Sequence, residues 1–148
     1  MDLLREAIKV VKRKHPFILK AIVLMPDHLH CIWTLPRGDW DFSSRWRLIK
    51  GEFTRRCDRK IKEQPSFSRQ RKKEQAIWQR RFWEHQITDE QDFIRHVEYV
   101  HYNPVKHGYV KSPKEWKFSS FDKYVDRGIY DQNWGIAEID LDATIGNE

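Results

Sequence analysis

Apolar positions Leu3, Leu4, Ala7, Ile8 and Val11 recur on one helical face. With Asp2 as a cap, they predict a first helix from Leu3 to about His15, closed by Pro16. Ile18 to Met25 is an apolar run of strand length. Pro26-Asp27 reads as a tight turn, and Leu24 to Leu35 carries the second strand of a predicted β-hairpin. Phe42, Trp46, Ile49, Phe53 and Cys57 form a helical stripe and predict a second helix from Phe42 to about Arg59. Arg45, Lys50, Arg55, Arg56 and Arg59 occupy its other face. Residues 58–75 are basic and polar and predict an exposed connector, while Trp78 to Ile87 predicts another strand, crowded with aromatics. Thr88-Asp89-Glu90-Gln91 reads as a capping box that opens a third helix to about Tyr102, with Phe93, Val97 and Val100 as its buried stripe. Asn103-Pro104 is expected to stop that helix, because a residue before proline is pushed out of the helical region. The remainder, through Trp116-Lys117-Phe118-Ser119-Ser120 to Trp134, reads as irregular, and about 135–148 as a frayed tail. There is no internal repeat, and 148 residues suit one domain spanning 1–148.

Charge adds a partner to this picture. The chain carries a formal net charge of +6, and its basic residues interleave with rings in Arg45-Trp46-Arg47 and Trp78-Gln79-Arg80-Arg81-Phe82-Trp83. Cations can track phosphates while aromatic faces stack unpaired bases, at roughly 1–3 kcal/mol per base. Nucleic acid is the expected partner, with Arg45, Arg47, Lys50, Arg55, Arg80, Arg81 and Lys106 as candidate contacts. The run Arg69-Gln70-Arg71-Lys72-Lys73 reads first as a solvated loop. No stretch approaches the ~18 apolar residues of a membrane span. Asp2 and Arg5 do not suit a secretory leader, and Cys31 and Cys57 form no metal-type pair, so a reduced cytoplasmic setting is expected.

The chemistry concentrates in two places. On a strand, His28 and His30 project from one side, and Leu29 is expected to point into the core behind them. Two neutral imidazoles supply part of a divalent-metal site with open positions. On the third helix Tyr99 and Asn103 stand four apart and share a face, roughly 6 Å apart along the axis. A tyrosine that attacks a phosphate gains from a metal ligand one turn away on the same rigid piece. The amide oxygen of Asn103 suits Mg²⁺ or Mn²⁺. Taken singly, each residue has a plain structural use: Tyr99 as a half-buried helix tyrosine, Asn103 as a terminator, and the histidines as a sheet-surface pair or part of a zinc site with His96. His96 is a lesser candidate ligand or proton donor. The base that would take the phenol proton stays open.

Taken in order, the stretches form a set that covers nearly the whole chain. They are Met25-Pro26-Asp27-His28-Leu29-His30, Phe42-Ser43-Ser44-Arg45-Trp46, Trp78 through His85, Glu98-Tyr99 through Asn103-Pro104-Val105-Lys106-His107-Gly108, and Trp116 through Ser120. The set resembles the HUH-type tyrosine transposases, in particular their REP-associated branch; HUH denotes two histidines flanking a bulky hydrophobic residue. The resemblance implies an α+β, ferredoxin-like (RRM-like) antiparallel sheet with helices on one face. It implies Tyr99 as nucleophile, and His28 and His30 holding a divalent metal with Asn103 as third ligand. Single-stranded DNA, often folded as a hairpin, is the implied substrate. It would be cut and rejoined through a 5′-phosphotyrosine bond with no nucleotide cofactor. REP-associated relatives tend towards monomers. The family fold starts with a strand ahead of the first helix, whereas this chain starts at that helix; either a start upstream of Met1 or a degenerate fragment is expected, and the chain on its own is expected to be poorly stable or weakly active. The competing readings are a retired transposase that binds hairpin DNA without cutting it, and an RNA-binding ferredoxin-like module, which has no use for paired histidine ligands.

Overall fold

In the computed structural model, which describes residues 2–57, 77–78 and 83–136, two compact units form. One is drawn from Met1–Phe17 and Leu35–Glu84, the other from Ile18–Thr34 and His85–Glu148. The basic connector, Arg80, Arg81 and all but the first two residues of the expected tail lie outside the described residues.

In the first unit, α1 (Asp2–Lys14) buries Leu4, Ala7 and Val11, a narrower face than expected, since Leu3 is exposed. Asp2 is the first helical residue rather than the cap. α1 packs on α2 (Phe42–Arg56). Asp41 caps α2 by accepting the Ser44 N–H at 3.0 Å, and Ile49 and Cys57 are buried from the expected stripe.

Arg45 overturns its expected place on the solvent face, being 4% exposed. Its guanidinium donates to Asp41 O at 2.8 Å, to Pro16 O at 3.0 Å and to the Asp39 carboxylate at 3.1 Å. That contact holds the Asp39 carboxyl below its ordinary range. A helical wheel cannot foresee acceptors supplied by neighbouring loops, and here they engage both terminal nitrogens of the guanidinium, while Nε has no partner among the described residues. Arg45 therefore belongs to the fold rather than to a DNA-contacting surface. Arg45→Met is expected to cost about 1–3 kcal/mol in denaturant unfolding, through the acceptors it leaves at Asp41 O and Pro16 O; an unchanged midpoint would show that these contacts add nothing to the stability.

The second unit holds β1 (Ile18–Leu24), β2 (Leu29–Thr34), α3 (Glu90–Lys106), a 3₁₀ turn (Pro113–Glu115) and α4 (Phe121–Asp126). β1 and β2 form the expected antiparallel hairpin, closed by Met25 N–H to His28 O at 2.9 Å. The α+β class with an antiparallel sheet is as expected, and the described sheet has two strands. Its register pairs Val23 with His30 and Ala21 with Ile32, and cross-strand partners share a face. The core is built from Ala21, Val23, Met25, Val97, Val100 and Tyr124, with Ile32 packed against it. α3 therefore covers the histidine side of the hairpin. Leu29, expected in the core, is half-buried and outside that cluster. Alternation dictates which residues share a face, but not which face the helix takes.

α3 also departs from expectation at both ends. Asp89, not Thr88, is its cap, accepting from Asp92 N. The helix runs through Pro104 to Lys106. Proline lacks one N–H, yet in the last turn this removes a single ladder bond. His107 N–H still reaches Asn103 O at 3.0 Å and Tyr109 N–H reaches Pro104 O at 2.9 Å. Gly108, at φ 71°, ends the helix.

The segment expected to be irregular lies along β1. Leu24 N–H donates to Phe118 O at 2.8 Å and Ser120 N–H to Ile22 O at 2.9 Å. Three residues are too few for a hydrophobic period to reveal such pairing. Fully buried His101 sets Nε2 2.8 Å from Ser120 Oγ, and burial pushes its pKa down to about 4, leaving the ring neutral. Among the described residues of the expected strand Trp78 to Ile87 there is no strand. No described helix is long and apolar enough to cross a membrane.

Candidate active site on the hairpin and helix α3

His28 lies just ahead of β2 and His30 within it, their ring centres 4.9 Å apart and nearly perpendicular. The Asp27 carboxylate lies 2.6 Å from His28 Nδ1. A carboxylate only accepts, so Nδ1 is the nitrogen that donates to it, and Nε2 is the nitrogen left to face a metal ion. The same contact draws the Asp27 carboxyl below its ordinary value. Burial, followed by the charges of His28, His107 and Lys106, pushes His30 down to about 4. Its imidazole is therefore neutral at ordinary pH.

α3 meets this pair with one face. The Tyr99 ring, buried at 6% exposure, stands 5.4 Å from His30, and His107 stands 5.5 Å from His28. Asn103 is four residues from each of them, so the helix period sets it between the two residues that touch the two histidines. Asn103 is fully buried, and neither its Oδ1 nor its Nδ2 has a hydrogen-bond partner among the described residues. An unsatisfied buried amide costs about 1–3 kcal/mol, a cost that a fold keeps where a ligand uses the group. Two imidazoles, that of His30 held neutral, and an amide oxygen with no partner among the described residues fit a divalent ion with open positions.

Lys106 brings its Nζ to 4.7 Å from the Tyr99 ring centre. The structure thus gathers His28, His30, Tyr99, Asn103 and Lys106, and adds His107 and Asp27, which sequence reasoning passed over. His107 was readable as Tyr99 plus eight, a spacing lost once the helix was ended at Pro104. The other basic candidates belong to the first unit. Arg47 is exposed, Lys50 lies over the Trp78 ring at 5.7 Å, and Arg55 pairs with Glu52.

His85, Asp92 and His96 form a second cluster whose ligand atoms all lie within 4.8 Å, a spacing that could hold an ion. Its hydrogen bonds also give it a structural use. His96 Nδ1 lies 2.9 Å from Asp92 Oδ1 and 2.8 Å from Asp92 O. Both oxygens accept, so this nitrogen carries a proton. His85 Nε2 stands 2.8 Å from Asp92 Oδ2, and the two rings stack at 4.3 Å with planes 8° apart. Thr88 N–H adds a third donor at 2.9 Å. This ring of donors, His85 first, pulls the Asp92 carboxyl down to about 2 and anchors the start of α3. His96, the lesser ligand candidate, is committed here.

Because the folded value lies below the ordinary 3.8, Asp92 stabilises the fold fully above that pH and loses its effect as pH falls towards about 2. Asp92→Asn is expected to cost about 2 kcal/mol at neutral pH. In denaturant unfolding the gap to the wild type should close between pH 3.8 and about 2; a pH-independent gap contradicts the assignment.

Comparison with known proteins gives a consistent set of relatives. The family model described as "Transposase IS200 like" matches residues 2–103. The chain is 48% identical over 142 residues to the REP-associated tyrosine transposase of Escherichia coli K12, covering 96% of this chain and 77% of that protein. It is 43% identical over 131 residues to a Haemophilus influenzae protein named as a putative REP-associated tyrosine transposase, covering 88% of this chain and 74% of the relative. A solved REP-associated tyrosine transposase bound to a REP hairpin matches with TM-score 0.76 and 46% identity, over 94% of this chain and 76% of that one.

Proposed function

The chain belongs to the IS200-like transposase family, enzymes of the tyrosine transposase class, and from that premise we propose that it cuts and rejoins single-stranded hairpin DNA through a covalent bond to Tyr99. The observation that carries this reading is the buried amide of Asn103, without a partner among the described residues and set between Tyr99 and His107, which touch the two hairpin histidines. A structural asparagine in that place would have found partners.

In the proposed reaction the Tyr99 oxygen attacks the scissile phosphorus as its phenol proton leaves. The bond from phosphorus to the 3′ oxygen breaks, and that oxygen takes up a proton to become a free 3′-hydroxyl. The phosphate stays joined to Tyr99 as a 5′-phosphotyrosine. A second 3′-hydroxyl then attacks it, forming the new strand and returning the phenol. Each step exchanges one phosphodiester for another, so no nucleotide cofactor is needed. His28, His30 and Asn103 would hold Mg²⁺ or Mn²⁺. Such an ion, when bound, supplies Lewis-acid polarisation of a non-bridging phosphate oxygen.

The protein's own residues have separate tasks. Asp27 fixes the tautomer and orientation of His28. Burial keeps His30 a neutral donor. The Lys106 ammonium, beside the Tyr99 ring, favours both an incoming phosphate and a developing phenolate. All these residues come from one chain, which supports action as a monomer. The hairpin substrate is supported by the relative solved with a REP hairpin.

The test is incubation with a labelled single-stranded hairpin and Mn²⁺ or Mg²⁺. A denaturation-resistant protein–DNA adduct that needs the ion is expected. Tight hairpin binding with no adduct under either ion would instead identify a retired transposase.

A further inference from the structure

Tyr109 and Phe118 are large rings left 49% and 46% exposed, and they are not isolated. A continuous row of rings leads away from the candidate active site. His107, which touches His28, lies 6.3 Å from Tyr109 with planes 30° apart. Tyr109 lies 5.6 Å from Trp116 at 37°, and Trp116 meets Phe118 edge to face, 6.1 Å apart with planes at 83°. The main chain is pinned at Tyr109 and Phe118, and the Trp116 ring is anchored directly. Tyr109 N–H is tied to Pro104 O, and Phe118 O accepts from Leu24 N–H. Trp116 is half-buried against the core, its Nε1–H donating to Leu24 O at 2.9 Å. Lys106 and Lys117, both exposed, neighbour these rings in sequence.

We propose that Tyr109, Trp116 and Phe118 form a stacking platform for the unpaired nucleotides that run on from the phosphate at Tyr99. Bases in a duplex hide their faces in the stack, whereas unpaired bases offer theirs to any flat ring. Rigid aromatic faces flanked by cations suit such a strand, independently of its sequence. Continuity with His28 and the neighbouring lysines commit the surface to single-stranded DNA rather than to an apolar protein face.

This inference rests on the reading of the neighbouring residues as a DNA-cutting site, so its test uses binding alone. Affinities are measured in a Tyr99→Phe background without divalent ion, for a hairpin with an unpaired flank and for the same hairpin with a blunt end. The flank is expected to tighten binding about 10-fold, the lower range of one or two stacked bases. Tyr109→Leu with Phe118→Leu keeps apolar bulk, removes the π-faces, and should abolish that advantage while leaving the blunt hairpin's affinity unchanged. Tyr109→Phe with Phe118→Tyr should restore it. A flank that confers no advantage overturns the proposal. So does an advantage that survives the leucine pair, or an equal loss for both hairpins with an unchanged melting temperature. Failure of the adduct assay, by contrast, would bear only on the cutting chemistry.

Discussion

Tyr99→Phe is expected to abolish the covalent adduct and to lower strand cleavage by about 10⁴-fold or more, the scale at which removing an enzyme nucleophile is felt. Hairpin affinity and melting temperature should stay near those of the wild type. Phenylalanine keeps the buried ring and its edge contact with His30 at 5.4 Å. It also keeps a π-face for the Lys106 ammonium, which stands 4.7 Å from the ring centre. Only the attacking oxygen is lost. Residual adduct in the variant would move the nucleophile elsewhere; a matching fall in affinity or melting temperature would make Tyr99 a structural residue.

Asn103→Leu is expected to do something rarer: raise stability while destroying activity. Both amide atoms of Asn103 are buried without a partner among the described residues. Replacing them with an apolar group of similar size removes a desolvation cost of about 1–3 kcal/mol. The apo variant should therefore unfold at equal or higher denaturant than the wild type. Cleavage should fall by at least about 100-fold, and stabilisation by added Mn²⁺ should largely vanish. In the wild type that stabilisation reaches about 2.7 kcal/mol at an ion concentration 100 times the dissociation constant. The sign of the stability change is the informative part. An asparagine kept for packing or helix termination would destabilise when replaced, and its variant would keep its response to the ion.

The residues of the candidate site were legible because each belongs to a short-range pattern. A histidine pair two apart on a strand, and a tyrosine and asparagine four apart on a helix, need only local periodicity to share a face. Contacts between segments were harder to read. That α3 would cover the histidine face, and not the side of Leu29, depends on long-range packing that alternation does not encode. Arg45 looked like surface charge because its acceptors, Asp39 and the Pro16 carbonyl, lie outside its helix. Pro104 was read as a stop, although near a helix end proline removes only one bond. That single misreading also hid His107, which stays in phase with Tyr99 only because the helix continues.

The central question is whether a strand pair and a helix residue seize one ion beside the phenol. A crystal soaked in Mn²⁺, with anomalous scattering recorded near the manganese edge, answers it without reference to activity. The account predicts a peak within coordinating distance of His28, His30 and Asn103. A peak seated instead among His85, Asp92 and His96, with none at the hairpin, would contradict it.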